Sequence, residues 1–257
     1  MDYILQTEQL KKEVIRQRPL IHHITNFVTT YQCARITALL GASPVMAFAA
    51  DETAQVAAKA DALVINTGTL NHEFTASVPK ALEAASHRQI PVVLDPVGIN
   101  LSQYRRGFIH SLLKNYHFSI IRCNYVELFN LHGEFVSGTG IDGDRSNSIE
   151  EAARAASELA RTYHCTVACT GQTDIIADSQ QTVRFDRGSA LLPKLVGTGC
   201  MVSSLIGSFA PVAPSPFDAA ASGILTMCLA GEAAQKALDN PNHLGSFETL
   251  LLDHIRD

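Results

Sequence analysis

The chain of 257 residues contains no tryptophan, little charge and no long apolar run. Charged residues make up 18% of it, few for a fully solvated surface, so either a large core or a partner subunit is expected to account for the apolar surplus. The net charge is −5 and no basic run is present, which argues against nucleic acid as a partner. No stretch approaches the ~20 apolar residues that span a bilayer. The first residues, Met1 to Arg18, are polar and charged and lack the apolar centre of a signal peptide. A cytoplasmic protein without membrane contact is expected.

The cysteines are few and scattered: Cys33, Cys123, Cys165, Cys169, Cys200 and Cys228, with no CxxC pair. Cys165 and Cys169 fall four apart in a β-like run, on one strand face, and read as buried thiols rather than a metal site. No HExxH spacing occurs, and the adjacent His22 and His23 would point to opposite faces of an extended segment, unable to share a metal.

What is present is 46% apolar residues, ample for a core, in a length that suits one large α/β domain or two small ones. No repeat and no linker divides the chain, so a single domain over 1–257 is expected. The segment Tyr3 to Gln17 has the spacing of an amphipathic helix. Five continuous apolar runs follow: Pro44 to Phe48, Ala62 to Asn66, Pro91 to Asp95, Ser119 to Arg122 and Thr166 to Thr170. Continuous apolar runs indicate strands buried on both faces. Helical patterns over Glu73–Arg88, Tyr104–Asn115 and Ser148–His164 separate them, implying a mostly parallel sheet flanked by helices. Asp174–Asp178 and Thr182–Asp186 read as a hairpin. Ala190 to Leu195 reads as an extended run, and everything after Cys200 as helix, over Met201–Phe209, Pro216–Leu238 and Ser246–His254. The polar segment Gly138–Ser148, with its own Gly-Thr-Gly, has no apolar helix behind it and reads as a mobile loop.

In parallel α/β sheets ligands bind beyond the carboxyl ends of the strands. Four successive strands here end in small or polar groups: Asn66-Thr67-Gly68-Thr69, Asp95-Pro96-Val97-Gly98, Arg122-Cys123-Asn124 and Thr170-Gly171-Gln172. A fifth signal is Gly197-Thr198-Gly199-Cys200 ahead of an apolar helix. Glycines allow a tight turn, and the unpaired N–H groups of a helix start attract an anion such as phosphate. Asp95, after four apolar residues, must sit at an open strand end or be paired. Asp95 and Glu127 are placed to share a magnesium ion, which takes only one or two protein carboxylates; the alternative for Glu127 is a first-turn acid favoured by the helix dipole. Arg122, ending an apolar strand, needs an anionic partner, for which a nucleotide phosphate would serve. Cys200 at a helix start is expected to have a lowered pKa and to bear on a proton, either as a base or by shaping the pocket.

These residues in this order resemble the hydroxyethylthiazole kinase family of the ribokinase-like fold, over nearly the whole chain. The marks are Ile24-Thr25-Asn26, Leu40-Gly41-Ala42-Ser43-Pro44-Val45-Met46, Gly68-Thr69-Leu70, Leu94-Asp95-Pro96-Val97, Ile121-Arg122-Cys123-Asn124, Glu127, Thr170-Gly171, Gly197-Thr198-Gly199-Cys200 and Gly245-Ser246-Phe247. The resemblance implies a three-layer α/β/α fold with a mostly parallel central sheet. It also implies transfer of the γ-phosphoryl of ATP, with Mg2+, to the hydroxyl of 4-methyl-5-(2-hydroxyethyl)thiazole in thiamine salvage. Met46, Gly197, Asn26 and Gly68 fall on the substrate side, Arg122, Thr170, Gly171, Asn124 and Gly199 on the nucleotide side, and Asp95 and Glu127 around the metal. The family's homotrimer places the thiazole site between subunits. Cys200 stands where most ribokinase-like enzymes carry aspartate, as it does in this family. Three departures are Cys123 for glycine, Gln172 for glutamate, and His23 where asparagine or cysteine is more common. Kinases of pyridoxal or hydroxymethylpyrimidine, and a nucleotide-dependent hydrate dehydratase, share the fold but normally carry aspartate at position 200. A non-catalytic thiazole- or nucleotide-binding paralogue is the remaining alternative, suggested by Cys123 and Gln172.

Overall fold

In the computed structural model, residues 2–133 and 148–257 are described. The loop expected over Gly138–Ser148 lies, up to residue 147, outside them. One sheet of eight strands organises the chain: β1 (Leu20–Ile24), β2 (Ser43–Val45), β3 (Ala62–Asn66), β4 (Val92–Asp95), β5 (Ile120–Asn124), β6 (Thr166–Thr170), β7 (Asp174–Ala177) and β8 (Thr182–Phe185). Their spatial order is β2-β1-β3-β4-β5-β6-β7-β8. The first six strands are mutually parallel, and the β7–β8 hairpin is added antiparallel at one edge.

Helices cover both faces. On one side lie α3 (Thr53–Ala57), α4 (His72–Arg88), α5 (Gln103–Asn115), α6 (Tyr125–His132) and α7 (Ile149–Tyr163). Phe74, Val78, Ile109, Leu128 and Ala156 from these helices pack on Leu63, Ile65, Leu94 and Ile121 of the sheet. On the other side lie α1 (Tyr3–Gln17), α2 (Thr30–Leu40), α8 (Thr198–Phe209), α9 (Pro216–Ala237) and α10 (Leu244–Asp253). Their Val14, Ile36, Leu205, Phe209, Ile224 and Phe247 meet Ile21, Val64, Val93 and Ile120. Strand residues alternate between the two clusters as the period of two requires. The expected three-layer α/β/α arrangement is therefore present. Phe209 is fully buried beneath the sheet, and truncating such a residue to alanine typically costs ~3–5 kcal/mol.

Two local readings are corrected. Ala190–Leu195 is not extended: Leu192–Lys194 forms a short 3-10 turn with Pro193 in its first positions, where a missing N–H costs nothing. The Pro44–Phe48 run supplies only the short edge strand β2, and the paired strand beside it, β1, has no counterpart among the expected runs. Leu20-Ile21-His22-His23-Ile24 conceals itself because two histidines interrupt the apolar pattern, yet both are fully buried. They do face opposite ways. His22 Nε2 lies 2.9 Å from the Ala47 carbonyl, whereas His23 Nε2 lies 3.4 Å from the Thr37 hydroxyl. Cys165 and Cys169 are buried, and burial raises both thiol pKa values, as inert core thiols require.

Candidate active site

The strands deliver a polar cluster to their carboxyl ends. Asp95 closes β4 and is fully buried. Its Oδ2 accepts a hydrogen bond from Asn66 Nδ2 at 2.6 Å and another from Ser203 Oγ at 2.7 Å. Its Oδ1 has no hydrogen-bond partner and faces Arg122 Nη1 at 3.6 Å. Burial raises the Asp95 pKa; Arg122 opposes this, Glu127 adds to it, and the result is about 6.

Arg122 rises from β5, and its Nη2 donates to the Thr170 hydroxyl on β6. Burial works against its charge, but Asp95 and Glu127 outweigh burial and hold its pKa above the ordinary value. The Nε of Arg122 is buried without a partner. Arg122 thus has a carboxylate neighbour within the fold, which sequence reasoning left to the ligand, while retaining donor capacity for a further anion.

Opposite Arg122 stands the Gly-Thr-Gly-Cys turn. Gly197 caps α8 with φ 96°, a conformation that glycine adopts without strain. The helix begins at Thr198, inside the motif rather than after it, so Gly199 and Cys200 belong to its first turn. A Cβ on Gly199 would lie 2.6 Å from Arg122 Nη1; only glycine lets the guanidinium come against this turn. Position 197 is equally tight, since a Cβ there would lie 2.7 Å from Thr29 Cγ2.

The Cys200 sulfur receives Asn26 Nδ2 at 3.4 Å and Asn66 Nδ2 at 3.3 Å. Asn26 Nδ2 also donates to Asn66 Oδ1 at 2.9 Å, and the Gly68 N–H donates to that same oxygen at 2.9 Å. The lowered pKa expected of Cys200 is not found. Burial, then the nearby Asp95 and Cys33, push the thiol up to about 12, outweighing the Thr29 hydroxyl and Arg122, which lower it. Cys200 is a neutral thiol at physiological pH.

Asn124 and Glu127 do not project into an open groove. They form a reciprocal cap of α6: Asn124 Oδ1 accepts the Glu127 N–H at 2.9 Å, and Glu127 Oε2 accepts the Asn124 N–H at 3.0 Å. Glu127 Oε1 accepts the Gly98 N–H at 3.1 Å. The first-turn acid reading of Glu127 therefore holds, and each of its oxygens is already engaged once. Gly171 is similarly committed: its N–H donates to Asp174 Oδ1 at 3.0 Å, and a Cβ there would strike the Tyr125 ring at 2.8 Å. Among the described residues no group of three or more His, Cys, Asp or Glu could hold a metal. A cation here would need ligands from phosphate and water besides protein, the usual habit of magnesium.

Met46 lies half-buried just past the edge strand β2, apart from the hydrogen-bonded cluster. Near it Phe48 meets Phe27, their ring centroids 5.9 Å apart. Phe27, Val28 and Tyr31 are 63–72% exposed and flank Thr29; Val196, 70% exposed, adjoins Gly197. Thr29 lies against Gly197, so the two segments that carry these exposed apolar residues adjoin beside the cluster.

Asn66, Ser203 and Thr29 were not singled out as site residues by the sequence. Asn66 closes β3, one of the four polar strand ends, so that signal was available. Ser203 lies three residues after Cys200 on α8, one turn along, which becomes meaningful only once Asp95 is known to lie beneath it.

Comparisons with known proteins identify the family. The sequence profile of the hydroxyethylthiazole kinase family matches residues 11–257. A hydroxyethylthiazole kinase of Alkaliphilus metalliredigens is 39% identical over 251 residues, covering 97% of this chain and 91% of that protein. One from Methanosarcina mazei is 40% identical over 245 residues, covering 95% and 92%. The structure of a hydroxyethylthiazole kinase from Pyrococcus horikoshii superposes with a TM-score of 0.86 at 36% identity, covering 97% of this chain and 92% of that one. A ribokinase-like superfamily protein of Enterococcus faecalis, 15% identical with a TM-score of 0.61, shares the fold alone. The chain has the ribokinase-like fold and belongs to the hydroxyethylthiazole kinase family.

Proposed function

We propose that this protein transfers the γ-phosphoryl group of ATP to the primary hydroxyl of 4-methyl-5-(2-hydroxyethyl)thiazole, as a cytoplasmic enzyme of thiamine salvage that uses its whole length as one domain. Family membership supports the activity. The observation that carries the chemistry is the first turn of α8 set against Arg122, with Arg122 Nε and Asp95 Oδ1 both buried and without a hydrogen-bond partner. Buried polar atoms without partners are costly, and a phosphate group with its cation would satisfy both.

Phosphoryl transfer demands positioning and charge stabilisation more than covalent work from the protein. On the nucleotide side, Arg122 offsets negative charge, and the N–H groups of Gly199 and Cys200 at the α8 start face the transferring group. Thr170 holds Arg122 in register. Gly171 and Asn124 shape this side through backbone and cap, the Gly171 N–H and Asn124 Oδ1 being already bonded. Mg2+ fits the donor set present: Asp95 Oδ1 would be its protein ligand, with Glu127 reached through water because each Glu127 oxygen already accepts an N–H. When bound, the ion neutralises phosphate charge. The alcohol side is assigned to Asn26, Gly68, Gly197 and Met46; Asn26 bonds the Cys200 sulfur and Gly68 packs on Asn26. The neutral thiol takes its place as an acceptor of two amide hydrogen bonds and a contact for the hydroxyl, so it orients rather than deprotonates.

The protein is proposed to assemble as a homotrimer with the thiazole site between subunits. Support comes from the apolar residues Phe27, Val28, Tyr31 and Val196, which flank Thr29 and Gly197 and are exposed in a single chain. The six cysteines, none in a disulfide, suit a reducing compartment, and no helix among the described residues is long and apolar enough to cross a membrane.

A coupled assay for ADP, run with ATP and magnesium and with or without the thiazole alcohol, tests the reading. Release that depends on the alcohol is expected. Equal release with pyridoxal or a hydroxymethylpyrimidine, or none with any alcohol, would overturn it.

A further inference from the structure

Arg105 has no part in the cluster described so far, yet it ties together the two loops on which the alcohol side depends. It sits in the first turn of α5, where the Ser102 side chain caps the helix by accepting the Arg105 N–H at 3.1 Å. From there its guanidinium crosses to backbone carbonyls of other elements. Nη1 donates to the Thr67 carbonyl and, at 3.1 Å, to the Val97 carbonyl; Nη2 reaches the Gly68 carbonyl at 3.4 Å. Thr67 and Gly68 belong to the loop after β3, and Val97 to the loop after β4.

The two loops are also joined directly, through the Thr67 N–H on the Asp95 carbonyl at 3.0 Å and the Thr67 hydroxyl on the Val97 carbonyl at 3.1 Å. Burial lowers the Arg105 pKa while the nearby Glu127 supports its charge. Glu127 holds the same tip from the other side, through the Gly98 N–H. One cation therefore satisfies carbonyls from two loops, and one carboxylate holds an amide of the second.

The loops adjoin the residues assigned to the alcohol side. Gly68 packs on Asn26, where a Cβ would lie 2.8 Å from the Asn26 Cβ, and its N–H fixes Asn66 Oδ1. Asn66 in turn holds both Asp95 and the Cys200 sulfur. Arg122, Thr170 and the Gly171 N–H are held by β5, β6 and Asp174, and meet the clamped loops only through Asp95, which faces Arg122 at 3.6 Å.

From this we infer that Arg105 is a positioning residue for the acceptor alcohol: its guanidinium clamps the loops after β3 and β4 so that Gly68 and Asn66 keep the hydroxyl in line with the transferring phosphoryl. The inference rests on the function proposed above. A planar fork serves three carbonyls at once, whereas an ammonium group is a single compact donor on a flexible stem.

The test is steady-state kinetics of wild type, Arg105→Met and Arg105→Lys, with both substrates varied, alongside calorimetric binding of the thiazole alcohol to each protein without nucleotide. Wild-type turnover that depends on the alcohol is the control for the function itself; its absence would sink that reading, not the role of Arg105. Arg105→Met is expected to lose up to ~10²-fold in kcat, the cost of misplacing a reacting group by about an ångström, with weaker binding and higher KM for the alcohol. The KM for ATP should stay within about twofold, well inside the tenfold that 1.4 kcal/mol would produce. Arg105→Lys should recover part of kcat and of alcohol affinity. Unchanged kcat and alcohol binding in folded Arg105→Met would overturn the inference. So would a rise in the KM for ATP matching that for the alcohol. If Arg105→Met does not fold, Arg105→Lys decides alone: weaker alcohol binding with ATP unaffected supports the clamp, and wild-type behaviour overturns it.

Discussion

At Cys200 two physical influences compete. A helix start lowers a thiol pKa, and burial beside a carboxylate raises it. Burial wins, and the thiol stands near 12. A group that is neutral at working pH contributes by position, so Cys200→Ala is expected to lose less than the ~10²-fold that a positioned general base at the low end supplies. Cys200→Asp should remain active, since a carboxylate there accepts a proton and the surrounding amides of Asn26 and Asn66 can donate to it. Arg122→Ala should lose more, ~10²–10³-fold in kcat, because it removes a fixed charge aimed at the transition state. The check is kcat for the three variants at saturating substrates, with thermal melts to verify folding; a loss beyond ~10⁴-fold for Cys200→Ala would contradict the positioning role.

His23 yields a separate residue-scale prediction. Burial holds its pKa at about 3, far below the value of 6.5 for an exposed imidazole. A folded-state pKa that is depressed for a basic group means that the unfolded chain takes up the proton first. Stability from this residue is fully present above about pH 6.5 and is lost as pH falls toward 3, with a slope of ~1.4 kcal/mol per pH unit. His23→Asn, which cannot titrate, should flatten that part of the acid limb. Denaturant midpoints measured across this range check it, and an identical slope in both proteins would contradict it.

Among the elements, the reciprocal cap of α6 shows why position alone did not reveal the task of Glu127. Its spacing from Asn124 fits a metal group and a helix cap equally well, and in the fold it certainly serves the cap. Glu127→Gln removes the charge and keeps one of the two accepted N–H bonds, since its Nε2 can only donate. It should raise the magnesium concentration needed for half-maximal rate more than it raises the KM for the thiazole alcohol; unchanged magnesium dependence would leave Glu127 with the cap alone. Most elements were legible because their signals are local. Ala62–Asn66 and Thr166–Thr170 are continuous apolar runs and emerge as β3 and β6 with the expected bounds. The first strand was hidden because its two histidines gain partners, Ala47 and Thr37, only after folding. The glycines at 197 and 199 and the polar strand ends marked the site in the sequence. The network through Asn66 did not show, because Asn26, Asp95 and Cys200 lie 40, 29 and 134 positions from it and meet it only across the sheet edge. Arg105 was invisible for the same reason, being one of two adjacent arginines in a helix and distinguished only by the carbonyls it reaches.

For the whole molecule, the exposed apolar residues and the sparse charge point the same way. Phe27, Val28, Tyr31 and Val196 are exposed in the single chain, and a second chain covering them would also reach the alcohol side proposed beside Thr29 and Gly197. Sedimentation equilibrium is expected to give a trimer, and Tyr31→Glu to weaken it together with activity; a stable, fully active monomer would contradict the assembly. The central claim is narrower than assembly: this polar cluster moves a phosphoryl group from ATP to a thiazole alcohol. Phosphorus NMR of the purified protein with ATP, magnesium and 4-methyl-5-(2-hydroxyethyl)thiazole tests it most directly. A new phosphomonoester signal should grow in equal amount with ADP, only when alcohol and protein are both present. ADP accompanied by inorganic phosphate and no phosphomonoester would contradict the account.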